Sequence, residues 1–526
     1  MNRQRLHPGL VPYLVSLFCG LFLAIAYPPQ DLSFIAWAAL APFLVILYNR
    51  DGKIALRSGI IFGLAFFLGT QYWIYFSMNR YGGLSFPASI SIVFLLCLYE
   101  SLYMGVFALL ISGITKRISI PLSLIAPPLW CTLEYLRGHL FTGFPWSLVG
   151  YTQYSNLSFI QIADITGVYG VSFLVILVNS ALSDIFIYLQ KRRAGAPAHI
   201  WKPLFSLAVA FSITLVSVGY GRYTIKKLDG LKDGRKIRVA VVQGNIEQDR
   251  KWDSQYQNSV LETYMELSRS LPGKKPDLIV WPETALPFYF NANPELHKRL
   301  TSFVKDLSIP LLTGTMLVRK NPATKPNNPY SISNSALLLD GNGNTSYQYD
   351  KIHLVPFGEY VPLKKVLFFI NKIVVGIGDF LPGKIYANAR TEWGSFSTLI
   401  CYEIIFPDLV RRFFKKRGDL IVNITNDAWF GKTSGPYQHF SMAVFRAIEN
   451  RKPLVRAANT GISGFIDQTG RIRDRTGLFE RAVIVDDIEI HKTGSIYRRF
   501  GDIFSFLNIG ITLFIYGLSI SIKRRI

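Results

Sequence analysis

Runs of apolar residues long enough to cross a bilayer fill most of the first ~220 positions and return over the last ~25. A buried helix in a water-soluble domain needs one apolar face. These stretches are apolar all round, and a bilayer span takes about 20 such residues. Seven runs precede a long polar region, beginning near Leu10, Leu32, Gly59, Pro87, Pro121, Ile162 and Leu204; an eighth begins near Ile503. Half of the 526 residues are hydrophobic, which is high for a soluble chain. The expected fold is an α-helical membrane bundle of about eight transmembrane helices with an α/β domain attached. The expected boundaries are 1–223 for helices 1 to 7, 224–500 for the polar domain, and 501–526 for the last helix and tail.

Charge placement orients such a bundle. Lys and Arg gather before the first run (Arg3, Arg5), between the second and third (Arg50, Lys53, Arg57), after the fourth (Lys116, Arg117), after the sixth (Lys191, Arg192, Arg193) and at the end (Lys523, Arg524, Arg525). These are alternate loops, so they fall on one side, the cytoplasm. Both termini are then cytoplasmic and the polar domain lies outside. Ala24-Ile25-Ala26 resembles a processing site, but Pro28 and Pro29 follow at once and losing the first span would break the alternation. The net charge of +23 fits anionic lipid headgroups; no nucleic-acid motif accompanies it. Glu100, Glu134 and Arg137 lie in or beside spans, where charge is costly. Glu134 and Arg137 are three apart on one helix face, so they are expected to pair or to bind a headgroup.

In the polar region, apolar runs at 237–242, 277–280, 311–312, 396–400 and 419–422 read as strands, with helical patterns between several of them. Polar residues cluster just past the strand ends, where α/β sheets hold their ligands. Cys19, Cys97 and Cys131 sit in apolar runs; Cys401 alone lies in the polar region, at a strand-to-helix turn. A thiol there is expected to be exposed, close to backbone N–H donors and lowered in pKa, as suits a nucleophile. No cysteine spacing suits a metal. Glu283, after Trp281-Pro282, is placed to serve as base from a half-buried pocket, and Lys351 to stabilise an oxyanion. His353 and His439 read as packing or loop residues.

Trp281-Pro282-Glu283, the run from Lys351-Ile352-His353 to Phe357-Gly358-Glu359, and Cys401-Tyr402-Glu403 resemble the Glu-Lys-Cys signatures of the nitrilase superfamily. With the membrane runs, the chain resembles its apolipoprotein N-acyltransferase family over essentially its whole length. Leu136-Arg137-Gly138 with Thr142-Gly143-Phe144-Pro145-Trp146, Asn426-Asp427-Ala428-Trp429-Phe430-Gly431, and Gln438-His439 with Arg446-Ala447-Ile448-Glu449 add to the match.

The resemblance implies an αββα sandwich on the periplasmic face of the bacterial inner membrane. It also implies a ping-pong reaction without metal or other cofactor. Glu283 takes the Cys401 proton, and the thiolate attacks the sn-1 ester of a phospholipid such as phosphatidylethanolamine. Lys351 and the Tyr402 amide hold the oxyanion. The thioester then passes its acyl chain to the α-amine of a diacylglyceryl-cysteine at a lipoprotein N-terminus. Supporting roles fall on Glu359, Tyr402 and Glu403, on Trp252 and Trp429 near the entrance, and on Asn334. The apolar stretch Val361–Gly376, with Phe368 and Phe369, reads as a lid dipping into the outer leaflet in preference to a buried core helix. A single chain holds the whole proposed site, so a monomer is expected. The competing enzyme reading is a membrane-anchored nitrilase-type amidase acting on a small substrate; the competing reading from another class is a transporter or receptor bundle with an inactive domain.

Overall fold

The computed structural model describes residues 9–523 except 252, 272, 274, 322–328, 362–379 and 416–417. The chain divides into two compact units, one of residues 1–75, 86–229 and 500–526, the other of 76–85 and 230–499.

The first unit is helical. Among the described residues, five helices are long and apolar enough to cross a membrane: Gly52–Gln71, Phe86–Arg117, Val168–Arg193, Trp201–Asp229 and Ile503–Ile522. Asp51 starts the first of these by accepting from the N–H groups of Lys53 (2.9 Å) and Ile54 (3.3 Å). The expected spans from Leu10 and Pro121 form shorter helices, Val11–Ala24 and Leu122–Arg137. The run from Leu32 is broken into a 3₁₀ turn, Ser33–Trp37, and a short helix, Ala41–Leu47. The run from Ile162 becomes a long helix only at Val168, because Gly167 at φ 67° breaks the path. Apolarity drives a segment out of water without requiring that it stay one continuous helix. Helices pack closely where Cβ atoms are missing: a Cβ on Gly59 would meet Met104 O at 2.3 Å.

Glu134 and Arg137 do not form the expected hydrogen-bonded pair. Arg137 Nη1 donates to Glu100 Oε1 at 2.6 Å on a neighbouring helix, and Glu134 Oε1 accepts from Trp130 Nε1 (2.9 Å) and Val149 N (2.8 Å). Sharing a helix face permits a pair, but Arg137 reaches a neighbouring helix instead and Glu134 turns to an indole and a backbone N–H.

Among the described residues, the second unit holds twelve strands in two six-stranded sheets. The first sheet contains β1 (Arg235–Gln243), β2 (Leu278–Val280), β3 (Leu311–Lys320), β4 (Tyr330–Leu339), β5 (Thr345–Asp350) and, at its far edge, β12 (Ala482–Ile490). Its order is β12-β1-β2-β3-β4-β5, with β1, β2 and β3 parallel and the other pairings antiparallel. The second sheet is built the same way from β6 (Asn388–Thr391), β7 (Gly394–Ile400), β8 (Leu420–Thr425), β9 (Leu454–Ala458), β10 (Gly464–Ile466) and β11 (Ile472–Arg475). Here β7, β8 and β9 are the parallel core.

Each parallel core is buried on both faces, which explains the unbroken apolar runs in sequence. Helices Gln257–Arg269 and Pro294–Leu307 cover the first sheet: Val260, Leu261, Leu300 and Phe303 share a core with Ala240, Ile279 and Leu311. Pro407–Phe414 and Gly435–Asn450 pack on the second. The sheets face each other, Tyr347 of β5 meeting Phe396 of β7 with ring centroids 5.9 Å apart. The layers therefore run helix, sheet, sheet, helix.

Candidate active site

The residues singled out in the sequence come from strand ends of both sheets. Glu283 lies just past β2, on a turn where Thr284 adopts φ 47°. The turn passes so close to Gly314 of β3 that a Cβ there would lie 2.6 Å from Glu283 Cα. Lys351 directly follows β5, and Asn334 is in β4. Cys401 follows β7 at φ 51° and opens a 3₁₀ turn, Cys401–Ile405, before helix Pro407–Phe414.

Glu283 is 5 % exposed, buried rather than half-buried. Its carboxylate accepts from Asn334 Nδ2 at 2.8 Å and from the Asn426 N–H at 2.9 Å. Lys351 Nζ stands 3.8 Å from it, ion-pair range but too far for a hydrogen bond. Lys351 bonds Glu359 instead, at 3.0 Å, and Asn334 Nδ2 also donates to Glu359 at 3.0 Å. Asn334 thus bridges two carboxylates, and its own carbonyl accepts from the Lys351 N–H at 2.8 Å. Burial pulls Lys351 down, but Glu359 and Glu283 outweigh it and hold the ammonium above the ordinary lysine range.

Cys401 corrects an expectation. The thiol is buried, not exposed, and it is raised rather than lowered in pKa: burial acts first, then the charge of Glu283, against the opposing pull of Lys351. Parallel strands and their covering helices close over this strand end, so the turn's donors do not offset desolvation. At neutral pH Cys401 is a thiol, and a base must take its proton for it to react.

Glu403 ties the site together. One oxygen accepts from the Ile400 N–H at 2.7 Å, beside the cysteine; the other accepts from Tyr349 Oη (2.7 Å), the Ile352 N–H (2.7 Å) and the His353 N–H (3.1 Å). It anchors the Lys351 loop to the Cys401 turn. The Tyr402 ring packs on Phe406 and His353. The His353 ring packs tilted against Phe406 with centroids 3.9 Å apart, and burial followed by the charge of Lys351 pushes it down to about 4. His439 Nδ1 lies 3.0 Å from the Asp427 carboxylate, which also accepts from Arg456 at 2.8 Å. Trp429 receives Ser77 Oγ on its carbonyl at 2.6 Å and the edge of Tyr81 on its ring, so segment 76–85 folds with this unit. Trp252, Phe368 and Phe369 lie outside the described residues.

Sequence reasoning missed Lys251. It sits on a one-turn helix, Gln248–Lys251, fully buried, with Nζ donating to the Glu283 carbonyl at 3.0 Å. Gln248 of the same turn accepts from Asn426 Nδ2 at 2.6 Å. The signal available was polar residues three apart just past the end of β1.

Comparison with known proteins follows the two units. Residues 19–181 match the apolipoprotein N-acyltransferase N-terminal domain, and residues 238–498 match carbon-nitrogen hydrolase. A curated relative named apolipoprotein N-acyltransferase, from Geobacter metallireducens, is 43 % identical over 494 residues, 94 % of this chain and 92 % of the relative. The chain belongs to the apolipoprotein N-acyltransferase family. The family member of that name from Pasteurella multocida is 32 % identical, covering 99 % of this chain and 98 % of its own. Among solved structures, a mutant amidase from Nesterenkonia sp. AN1 aligns at 21 % identity and TM-score 0.36, over 49 % of this chain and 93 % of its own. As a member of the N-acyltransferase family, the chain is an acyltransferase and a membrane protein, with a nitrilase-like domain and five long apolar helices.

Proposed function

We propose that the chain transfers the sn-1 acyl chain of a phosphatidylethanolamine-like phospholipid to the α-amine of diacylglyceryl-cysteine in an apolipoprotein, the last step of bacterial lipoprotein maturation. The observation that carries this reading is the buried set around Glu283: a carboxylate held by Asn334 at 2.8 Å and Asn426 N at 2.9 Å, a permanent Lys351 cation at 3.8 Å, and a thiol that stays protonated until a base acts.

In the first half, Glu283 takes the Cys401 proton and sulfur attacks the ester carbonyl. Lys351 and the Tyr402 N–H face the oxyanion. The C–O bond breaks, and the departing lysophospholipid oxygen receives the proton from Glu283. In the second half, the neutral amine attacks the thioester carbon, the C–N bond forms and the C–S bond breaks. The amine proton passes through Glu283 to the leaving thiolate. The thioester is more reactive than the ester that forms it and far more reactive than the amide it yields; overall, ester to amide runs downhill, so no external energy source enters. Glu359 and Asn334 orient Lys351 and Glu283; Glu403 and Tyr402 hold the nucleophile's turn. Trp429 and Trp252 are assigned to the entrance, and Phe368 and Phe369 to an acyl-admitting lid.

The topology that goes with this chemistry has eight spans with both termini cytoplasmic, in the inner membrane. Residues 1–223 contribute seven helices, 224–500 the periplasmic catalytic domain, and 501–526 the eighth helix. The chain acts as a monomer. The amidase alternative is not favoured, because relatives matching nearly the full length, bundle included, bear the acyltransferase name.

The test supplies purified protein with phosphatidylethanolamine labelled in the sn-1 chain and a synthetic diacylglyceryl-cysteinyl peptide. Label on the peptide amine supports the proposal. Free labelled fatty acid, with the peptide untouched, would make the protein a hydrolase.

A further inference from the structure

Lys251 is a costly residue to bury. An ammonium carries three donors, yet among the described residues Lys251 makes one hydrogen bond, to the Glu283 carbonyl at 3.0 Å. Its side chain is fully shielded from solvent. A neutral side chain could cap a carbonyl without the desolvation penalty of a charge. What sets the position apart is its surroundings: the charged and titratable groups facing Lys251 are Glu283, from the turn after β2, and Cys401, from the turn after β7. Lys351 approaches the Glu283 carboxylate separately, at 3.8 Å. On its own turn, Asp249 is exposed and meets Arg80 at 3.9 Å.

The same turn also holds Glu283 from a second direction. Gln248 accepts from Asn426 Nδ2 at 2.6 Å, and the Asn426 N–H donates to the Glu283 carboxylate at 2.9 Å. Asn459 steadies Asn426 in turn, donating to its Oδ1 at 3.1 Å. One helical turn thus fixes the base at its main chain, through Lys251, and at its carboxylate, through Asn426.

We infer that Lys251 is a positioning residue for acyl transfer, pinning the Glu283 main chain and, as an ammonium, offsetting the negative charge that Glu283 carries before the proton moves and that sulfur and the oxyanion carry after it. This inference rests on the thioester reading above. Proton transfer turns a neutral thiol and a carboxylate into a thiolate and a neutral acid; total charge is unchanged while negative charge moves onto sulfur. Two cations, Lys251 and Lys351, face the pair, and each acts on Glu283 more strongly than on Cys401, so they offset the charge in both places. They differ in one respect. Lys351 is held charged by two carboxylates, whereas burial, opposed by Glu283 and Cys401, pulls Lys251 down to about 7. Lys251 therefore loses its charge as the medium turns alkaline, and acylation should slow with it.

The experiment measures the rate of Cys401 acylation by phosphatidylethanolamine vesicles, by quenched intact mass spectrometry from pH 6 to 9, on full-length protein and on Lys251→Met and Lys251→Gln. Rates are normalised to folded protein by thermal melting. The expected wild-type profile has an alkaline fall beginning near neutrality. Lys251→Met should acylate roughly 10–100-fold more slowly at pH 7, and Lys251→Gln, which keeps a donor but no charge, about tenfold more slowly. Both should lack the alkaline fall. A variant with wild-type rate and profile per folded molecule would overturn the inference, as would losses that only track unfolding while the remaining active fraction keeps the wild-type profile. No adduct on the wild-type protein would instead remove the thioester reading itself.

Discussion

Each unit buries an ionic cluster, and the two are built differently. In the helical unit, Arg137 meets Glu100 at 2.6 Å, donates also to the Phe144 carbonyl at 3.0 Å and lies over the Phe67 ring at 5.1 Å. That closed pair locks two helices. In the catalytic unit, the Lys351 cation serves two carboxylates, Glu359 at 3.0 Å and Glu283 at 3.8 Å, neutral donors supply further bonds, and a second buried amine, Lys251, is held at the Glu283 main chain. Here a carboxylate has a protonated thiol for a neighbour, so a proton can move between them with no new net charge. A pair with no proton to exchange is an argument about structure; a carboxylate beside a nucleophile is an argument about chemistry.

Substitutions can break this contrast. Glu283→Gln should slow acylation per folded molecule by about 10²–10⁴-fold, because the amide cannot take a proton; it also leaves Asn334 Nδ2 or the Asn426 N–H without an acceptor, at about 1–3 kcal/mol of stability. Quenched mass spectrometry of the adduct checks this, and near-normal acylation would remove Glu283 from the reaction. Arg137→Met should do the reverse: turnover per folded molecule persists, while stability drops by roughly 3–5 kcal/mol because Glu100 is left buried and unpaired. Adding Glu100→Gln should recover part of that loss in the same detergent melt. A large rate defect in folded Arg137→Met would instead join that pair to the chemistry.

Glu403→Gln sharpens the comparison within the catalytic unit. Its two oxygens accept from three backbone N–H groups and Tyr349, and an amide leaves at least one donor without an acceptor, at about 1–3 kcal/mol each. Hydrogen exchange should rise at Ile352, His353 and Ile400 before the unit melts globally. The smallest effect concerns His353. Its folded pKa lies near 4, below the ordinary 6.5, so the folded state resists a proton that the unfolded state accepts. Stability should therefore fall as pH drops from about 6.5 towards about 4. In His353→Phe that part of the slope should be absent from melts taken across the window.

Much of this site was visible in the sequence because it sits at strand ends. Trp281-Pro282-Glu283 and Cys401-Tyr402-Glu403 each follow an apolar run, and buried parallel strands write themselves as such runs. Strands β4 to β6 and β9 to β12 are harder to see, since most are short or carry polar residues among the apolar ones, as Asn388–Thr391 and Ile472–Arg475 do. Partnerships were the least legible feature. Arg137 bonds a residue 37 positions away in preference to one three away, and Lys251 reaches Glu283 across 32. The burial of Cys401 was missed for the same reason: local turn chemistry predicts an exposed thiol, whereas the layers packed around it decide its solvation. Span counts suffer from a related gap, because apolarity reports where a segment goes and not where, as at Gly167, its helix begins.

The most direct measurement is the intact mass of the purified protein after incubation with phosphatidylethanolamine and no acceptor. The predicted result is a gain of one acyl mass, released by neutral hydroxylamine and absent in Cys401→Ala. An unmodified, folded protein with Cys401 reduced would contradict the acyl-enzyme at the centre of this account.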